Sequence, residues 1–293
     1  MPRHLVLDQN YLRFEGLINL IVAEPDAIFI LPDVALIEMC KGESWRHVMR
    51  SSLAEISKIP NKVKLSLCVG EALRKELATF NSIEGLLLPG EFDSFKESLL
   101  MDVAEGKSSP MGLDSIAVSI ESAQKDFRND ELNHEKNHET YLQLNALIKK
   151  SLGAKLIKAL RNRMVSEDAR LTIICEIAQK LFHDFLLAKG LSKQRAFAFI
   201  GQKPLLYRFY ILRVQQDIEW IREGGLESQP AARITNNLMD LDYVLVGSFF
   251  DALLSRDGRV VDADRDLRDC LSMAISSRLD HPLDLDRFLS SEE

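Results

Sequence analysis

Three observations predict an α/β fold, a parallel sheet flanked by helices and interrupted by a large all-helical insertion. Between residues 4 and 80, short apolar runs alternate with helical patterns, which is how a chain builds a parallel sheet covered by helices. From about Leu113 to Gly224 the pattern is almost wholly helical. A last apolar run, Ala252–Leu254, then follows a helix and restores the alternation.

The elements follow in order. His4-Leu5-Val6-Leu7 is a short buried strand with Asp8 at its end. Tyr11 to Val22 carries Leu12, Leu17, Leu20 and Ile21 at helical spacing. Glu24-Pro25-Asp26 is a break, because a residue before proline avoids the helical region. Ala27–Leu31 is a second strand, and Pro32 and Asp33 open a helix that carries Glu38, with Asp33 a candidate cap. Ser44 to Ile59 reads as a helix ended by Pro60, Val63 to Val69 as a third strand, and Glu71 to Ala78 as a helix. Segments 85–90 and 106–112 are Gly-, Pro- and Ser-rich breaks. A helix from about Ala231 to Phe250 precedes the last strand.

The bulk properties suit a globular chain with a sizeable core: 293 residues, 46% hydrophobic, 28% charged. No apolar run is long enough to span a bilayer, and no secretory leader pattern opens the sequence. Cys40, Cys68, Cys175 and Cys270 are scattered, without a Cys-x-x-Cys pair, and read as reduced core thiols. A cytoplasmic protein that makes no use of a membrane is expected. A net charge of −7 argues against a general nucleic-acid coat. It suits a site whose acids await cations.

The acids that matter stand at strand ends. In open α/β sheets, functional groups gather beyond the carboxyl ends of the strands. Asp8 and Asp257 fall there, and Glu38 and Asp240 lie on helices that can face the same crevice. Tyr243 stands on a face next to that of Asp240, which suits a packing role. Carboxylates that converge from distant parts of a chain bind hard divalent cations, and such sites hydrolyse phosphodiesters. Asp240 and Asp242 compete for one role, since two residues on a helix are about 200° apart. Asp240 is preferred because Asn236, one turn earlier, shares its face.

On these residues the chain resembles the PIN-domain nucleases. Asp8 with Asn10 is similar to that family's first acidic element, although Gln9 replaces the usual small hydroxyl residue. Glu38 in Val34-Ala35-Leu36-Ile37-Glu38 is similar to the second. Asp240 or Asp242 corresponds to the third, an acid that starts the helix before the fourth strand, and Ser255-Arg256-Asp257 to the fourth. The likeness covers roughly residues 1–80 and 230–270. It implies a nuclease, more specifically a ribonuclease, acting on RNA or single-stranded nucleic acid. It also implies Mg2+ or Mn2+ held by Asp8, Glu38, Asp240, Asp257 and the competing Asp242, with Asn10, Asn236 and Ser255 in support. Many PIN-like proteins are toxins or defence effectors, so an inhibitory protein partner is a further implication.

The expected organisation is therefore a discontinuous PIN-like domain, 1–84 and 230–275, a helical insertion, 85–229, and a short, loosely ordered acidic tail, 276–293. The insertion is suited to bind substrate, a protein partner or a second copy of the chain. Its densest basic run holds Lys149, Lys150, Lys155, Lys158, Arg161 and Arg163 without an acid. Leu152, Leu156, Leu160 and Met164 repeat through it as an amphipathic stripe. Its cations either face solvent or contact a phosphate backbone. Tyr207-Arg208-Phe209-Tyr210 with Arg213 mixes aromatic and basic residues, which suits base stacking or, better, core packing. His134-Glu135-Lys136-Asn137-His138 has the spacing of a zinc motif, but its polar neighbours mark a solvated segment. The rival to a nuclease is a catalytically degenerate PIN-like scaffold or protein-binding module.

Overall fold

The computed structural model describes residues 2–118, 134–276, 279, 283–284 and 286–288. Four strands, β1 (His4–Leu7), β2 (Ile28–Leu31), β3 (Val63–Leu65) and β4 (Ala252–Leu254), form one sheet in the order β3-β2-β1-β4. All its pairings are parallel. In register, Leu5 faces Phe29 on one side and Ala252 on the other, and Phe29 faces Val63. The central strands are buried on both faces: Leu5, Val6, Leu7, Phe29, Ile30 and Leu31 are all in the core. This explains their unbroken apolar runs, since helices cover both sides of a parallel sheet.

Contacts divide the chain into two compact units. The first holds 1–74, 84–133 and 238–264, and contains the whole sheet. Its helices are α1 (Gln9–Leu12), α2 (Gly16–Ala23), α3 (Asp33–Met39), α4 (Trp45–Leu53), the first part of α5 (Val69–Thr79) and α6 (Asp93–Glu105). The second unit holds 75–83, 134–237 and 265–293. Its helices are α7 (His134–Arg161), α8 (Glu167–Ala188), α9 (Lys193–Gly201), α10 (Leu205–Arg222) and the first part of α11 (Ala231–Gly247). The second half of α12 (Gly258–Ser272) also belongs to it.

This partition departs from the expected one at four places: 75–83, 230–237 and 265–275 fall in the helical unit, and the described residues after 84 up to 118 fall with the sheet. Segment 85–118 belongs with the sheet, because Leu99, Leu100, Val103, Leu113 and Ile116 pack in one apolar cluster with Leu5, Phe29 and Leu53. Residues 265–275 belong with the helical unit, where Asp266 pairs with the buried Arg170 at 2.8 Å. In the expected acidic tail, Leu279 is buried and Arg287 pairs with Glu176.

Several element bounds shift as well. The expected helix from Tyr11 to Val22 is two helices, broken at Arg13–Glu15. The expected helix from Ser44 to Ile59 ends as an α-helix at Leu53 and continues as short 3-10 turns. The third strand stops at Leu65, and α5 begins at Val69. Asp33 is not the cap of α3: Pro32 takes that position and Asp33 sits in the first turn.

In the helical unit, α8 and α10 pack through aromatic rings, with Phe182 stacked on Tyr207 at a centroid distance of 5.7 Å and tilted against Tyr210 at 5.2 Å. Tyr207 and Arg208 are thus core, while Phe209 and Tyr210 are half-buried beside them. Arg213 is buried against Tyr141 and pairs with Asp217 at 3.0 Å. The buried Glu76 accepts from the backbone N–H groups of Leu205 at 2.9 Å and Leu206 at 2.8 Å. It thereby satisfies amides at the start of α10 that no helical carbonyl can reach.

Candidate functional site

Parallel pairing brings the ends of β1 and β4 together. The Asp8 amide donates to the Leu254 carbonyl at 3.0 Å, so Asp8 and Ser255 leave their strands side by side. Asp8 is 4% exposed. Its side chain caps α1 by accepting from the Asn10 amide at 3.3 Å, and accepts a short hydrogen bond from the Ser255 hydroxyl. That hydroxyl oxygen in turn accepts from the Asp257 amide at 3.0 Å. The Asn10 carboxamide oxygen accepts from the Arg256 amide at 2.9 Å, which ties the two strand ends a second time. Asp257 accepts from the Arg259 amide at 2.8 Å at the entrance to α12.

Two helices supply the other acids. On α3, Val34, Ala35 and Met39 are buried, which anchors the helix and leaves Glu38 on its partly exposed side. Glu38 accepts from the Tyr243 hydroxyl of α11 at 2.7 Å and pairs with Lys41 at 3.4 Å. The same Tyr243 oxygen accepts from the Gln9 amide at 3.3 Å. Tyr243 is buried, and its phenol is pushed well above the ordinary range by burial and by the charges of Glu38 and Asp8. It stays protonated and acts as a fixed donor between α1, α3 and α11.

Asp240 lies one helical turn before Tyr243, inside α11 and not at its start as the resemblance implies. Its carboxyl is pushed up to about 7, first by burial and then by the charges of Asp257, Glu38 and Asp8, with Lys41 acting against them. The Asp8 carboxyl is also raised, chiefly by burial, against the hydrogen bonds from Ser255 and Asn10, with Glu38 and Asp257 adding to the rise. Four acids contributed by β1, α3, α11 and the end of β4 therefore share one electrostatic field. Like charges gathered at a half-buried edge each disfavour the ionisation of the next.

The residues read from the sequence fall out as follows. Asp8, Glu38, Asp240 and Asp257 are brought together, with Asn10 and Ser255 as the connecting hydrogen-bond partners. Asp242 is partly buried on α11, and Asn236 is exposed earlier on that helix. In the basic run, Lys150, Lys155, Lys158, Arg161 and Arg163 are exposed, while Lys149 pairs with Glu227 at 2.6 Å. Leu152, Leu156 and Leu160 are buried as the stripe requires, but Met164 is exposed because the helix has ended at Arg161. The side chains of His134–His138 lie outside the described residues.

Sequence reasoning gave Tyr243 no more than a packing role, yet it is the donor that sets Glu38. The signal was its place three residues after Asp240 on an otherwise apolar helical face. Asp33 is another acid of this unit at a strand end. It accepts from the Cys68 thiol and from the amides of Val34 and Val69, and burial raises its carboxyl above the ordinary range.

The donor set suits a hard divalent cation in kind, since carboxylate oxygens are the ligands such ions take. Among the described residues, no three His, Cys, Asp or Glu side chains stand at coordinating spacing. Asp8, Glu38 and Asp257 lean instead on the protein donors Ser255, Tyr243 and the Arg259 amide. Among the described residues, no helix is long and apolar enough to cross a membrane. Comparisons with family models, curated proteins and solved structures found no match for this chain.

Proposed function

We propose that the chain is a divalent-metal-dependent nuclease of PIN-like type, acting on RNA or single-stranded nucleic acid. One observation carries the reading: Asp240 is pushed up to about 7 by burial and by Asp257, Glu38 and Asp8 together. Four mutually repelling carboxylates at one sheet edge cost stability, and a dication is the partner that reverses the sign of that interaction. Asp8, Glu38, Asp240 and Asp257 would hold Mg2+ or Mn2+. Such an ion lowers the pKa of a bound water and neutralises charge on the departing phosphate-ester oxygen.

The chain's own residues do the rest. Ser255 and the Asn10 amide orient Asp8, and Tyr243 fixes one oxygen of Glu38 so that the other is left to Lys41 or a cation. No side-chain nucleophile is required. The exposed cations of α7 and the turn after it, Lys150, Lys155, Lys158, Arg161 and Arg163, provide charge for the phosphate backbone, which the acidic edge repels. A role as toxin or defence effector with an inhibitory protein partner is compatible with this activity and follows from the resemblance alone, and the helical insertion is suited to bind that partner or a second copy of the chain.

The rival reading, a degenerate scaffold, draws on the protein donors that already engage Asp8, Glu38 and Asp257. Calorimetry with Mn2+ separates the two. The nuclease reading expects binding at millimolar concentration or tighter, abolished by Asp8→Asn, and metal-dependent cleavage of pooled RNA or single-stranded DNA. A folded protein that neither binds Mn2+ nor cleaves any of these is a scaffold.

A further inference from the structure

Beside the carboxylate edge, the first unit carries an aromatic and cationic surface that the four acids do not use. Phe14 lies in the break between α1 and α2 and is 37% exposed. Its ring packs edge-on against Tyr11, with centroids 5.5 Å apart. The Arg256 guanidinium lies over the same ring, 4.7 Å from its centroid. Arg256 is exposed, and among the described residues its guanidinium takes no carboxylate partner.

The surface is tied to the site by its backbone. Arg256 stands between Ser255 and Asp257, and its amide donates to Asn10 at 2.9 Å, within the network that holds Asp8. The Phe14 amide donates to the Tyr11 carbonyl at 3.0 Å, and Tyr11 belongs to α1, which Asp8 caps. Gly16 gives the ring its place: a Cβ added there would come within 2.2 Å of it. Glycine permits that close approach of side chain to backbone.

A guanidinium that rests on a ring by one face has two further contacts to offer. Its N–H donors point outward in its own plane, where a phosphate can accept two of them. Its other face is a flat cationic surface that stacks on a nucleic-acid base.

We infer that Arg256, backed by Phe14, is a nucleotide subsite beside the carboxylate edge. A base stacks on the outer face of the guanidinium, and a phosphate of the same strand accepts from the N–H groups in its plane. This rests on the nucleic-acid ligand of the proposed function but not on cleavage. Ile18 and Val22, one and two turns after Phe14, continue an exposed apolar line along α2. An apolar protein partner seated there would cover the Arg256 charge without supplying a counter-charge, which is costly. A nucleotide supplies both the π face and the anion.

The experiment measures binding by fluorescence anisotropy on the full chain carrying Asp8→Asn, so that no strand is cut. Two single-stranded probes of equal length and charge are compared across a salt series, with and without Mn2+: fluorescein-labelled oligouridine and its abasic counterpart. Oligouridine should bind about fivefold more tightly or better, as one stacked base provides. Arg256→Gln should abolish that preference and flatten the slope of log affinity against log salt by about 0.7, the share of one phosphate on a single strand. Arg256→Lys keeps the charge without the plane, so the slope should stay while the preference is lost. Phe14→Leu keeps apolar bulk without a ring and should lower the preference, whereas Phe14→Tyr should keep it. Circular dichroism confirms that each variant folds. The inference is overturned if neither probe binds, if both bind equally, or if Arg256→Lys retains the base preference. It is also overturned if the protein sediments as a dimer that Phe14→Leu disperses, because a second copy then covers the surface. A base preference that needs Arg256, in a chain whose unsubstituted form neither binds Mn2+ nor cleaves, would keep the subsite and remove the nuclease reading. Cleavage by the unsubstituted chain without any base preference would do the reverse.

Discussion

Replacing Asp240 with Asn tests the shared field of the four acids without any assumption about substrate. The folded carboxyl titrates at about 7, against 3.8 for the free side chain. The folded state thus holds a proton that the unfolded state has released between these values, and stability falls as pH rises from about 4 to about 7. A shift of about three units corresponds to about 4 kcal/mol at pH 8. Water reaching the partly buried group screens part of this, which leaves roughly 2 kcal/mol as the gain when the charge is removed. For domains of this size that is a rise of about 4–8 °C in melting temperature. Thermal melts of parent and Asp240→Asn at pH 4 and pH 8, without divalent ions, should show the variant ahead at pH 8 and level at pH 4. Adding Mn2+ at pH 8 should raise the parent and leave the variant nearly unmoved. An equal difference at both pH values would refute the reasoning, because the effect would then come from packing and not from charge.

Three further outcomes are expected. Asp8→Asn should fold, gain stability above pH 7 in the metal-free protein, and lose at least 100-fold in cleavage with Mg2+ or Mn2+; cleavage at the parental rate would remove Asp8 from the site. Tyr243→Phe deletes the donor to Glu38 and the acceptor for the Gln9 amide, costing about 1–2 kcal/mol in urea denaturation. It should weaken Mn2+ affinity measured by calorimetry, and an unaltered affinity would make Tyr243 a packing residue only. Replacing Lys155, Lys158 and Arg161 with Gln in an Asp8→Asn background should reduce the slope of log affinity against log salt for single-stranded RNA by up to about 2; an unchanged slope would assign that helix face to solvent.

The parts of the fold legible in the sequence are those where chemistry and position coincide. An unbroken apolar run such as Leu5-Val6-Leu7 fits a strand buried on both faces, and an acid directly after it has to lie at the sheet edge. That logic places Asp8, Ser255 and Asp257 at the edge from the sequence. Helical amphipathy is less informative, because a stripe states that a face is buried without stating against what. Leu99, Leu100 and Val103 therefore read as part of the helical insertion, although they pack with Phe29 and Leu53. For the same reason Tyr207 and Tyr210 left stacking on bases open until their contacts with Phe182 were seen. The Tyr243–Glu38 contact depends on side chains meeting across a long stretch of sequence, where no local pattern records the encounter.

The position of β4 beside β1 has a consequence for synthesis of the chain. Asp8 is translated well before its hydrogen-bond partner Ser255, with the whole of segment 134–237 between them. Until Ala252–Leu254 is available, β1 lacks one of its two neighbouring strands and the apolar residues of β4 are missing from the cluster around Leu5 and Leu7. A nascent or prematurely terminated chain can complete helices of the second unit while the carboxylate edge remains unassembled. The last strand of the sheet thus acts as a check on synthesis: the edge forms only on chains translated past Asp257.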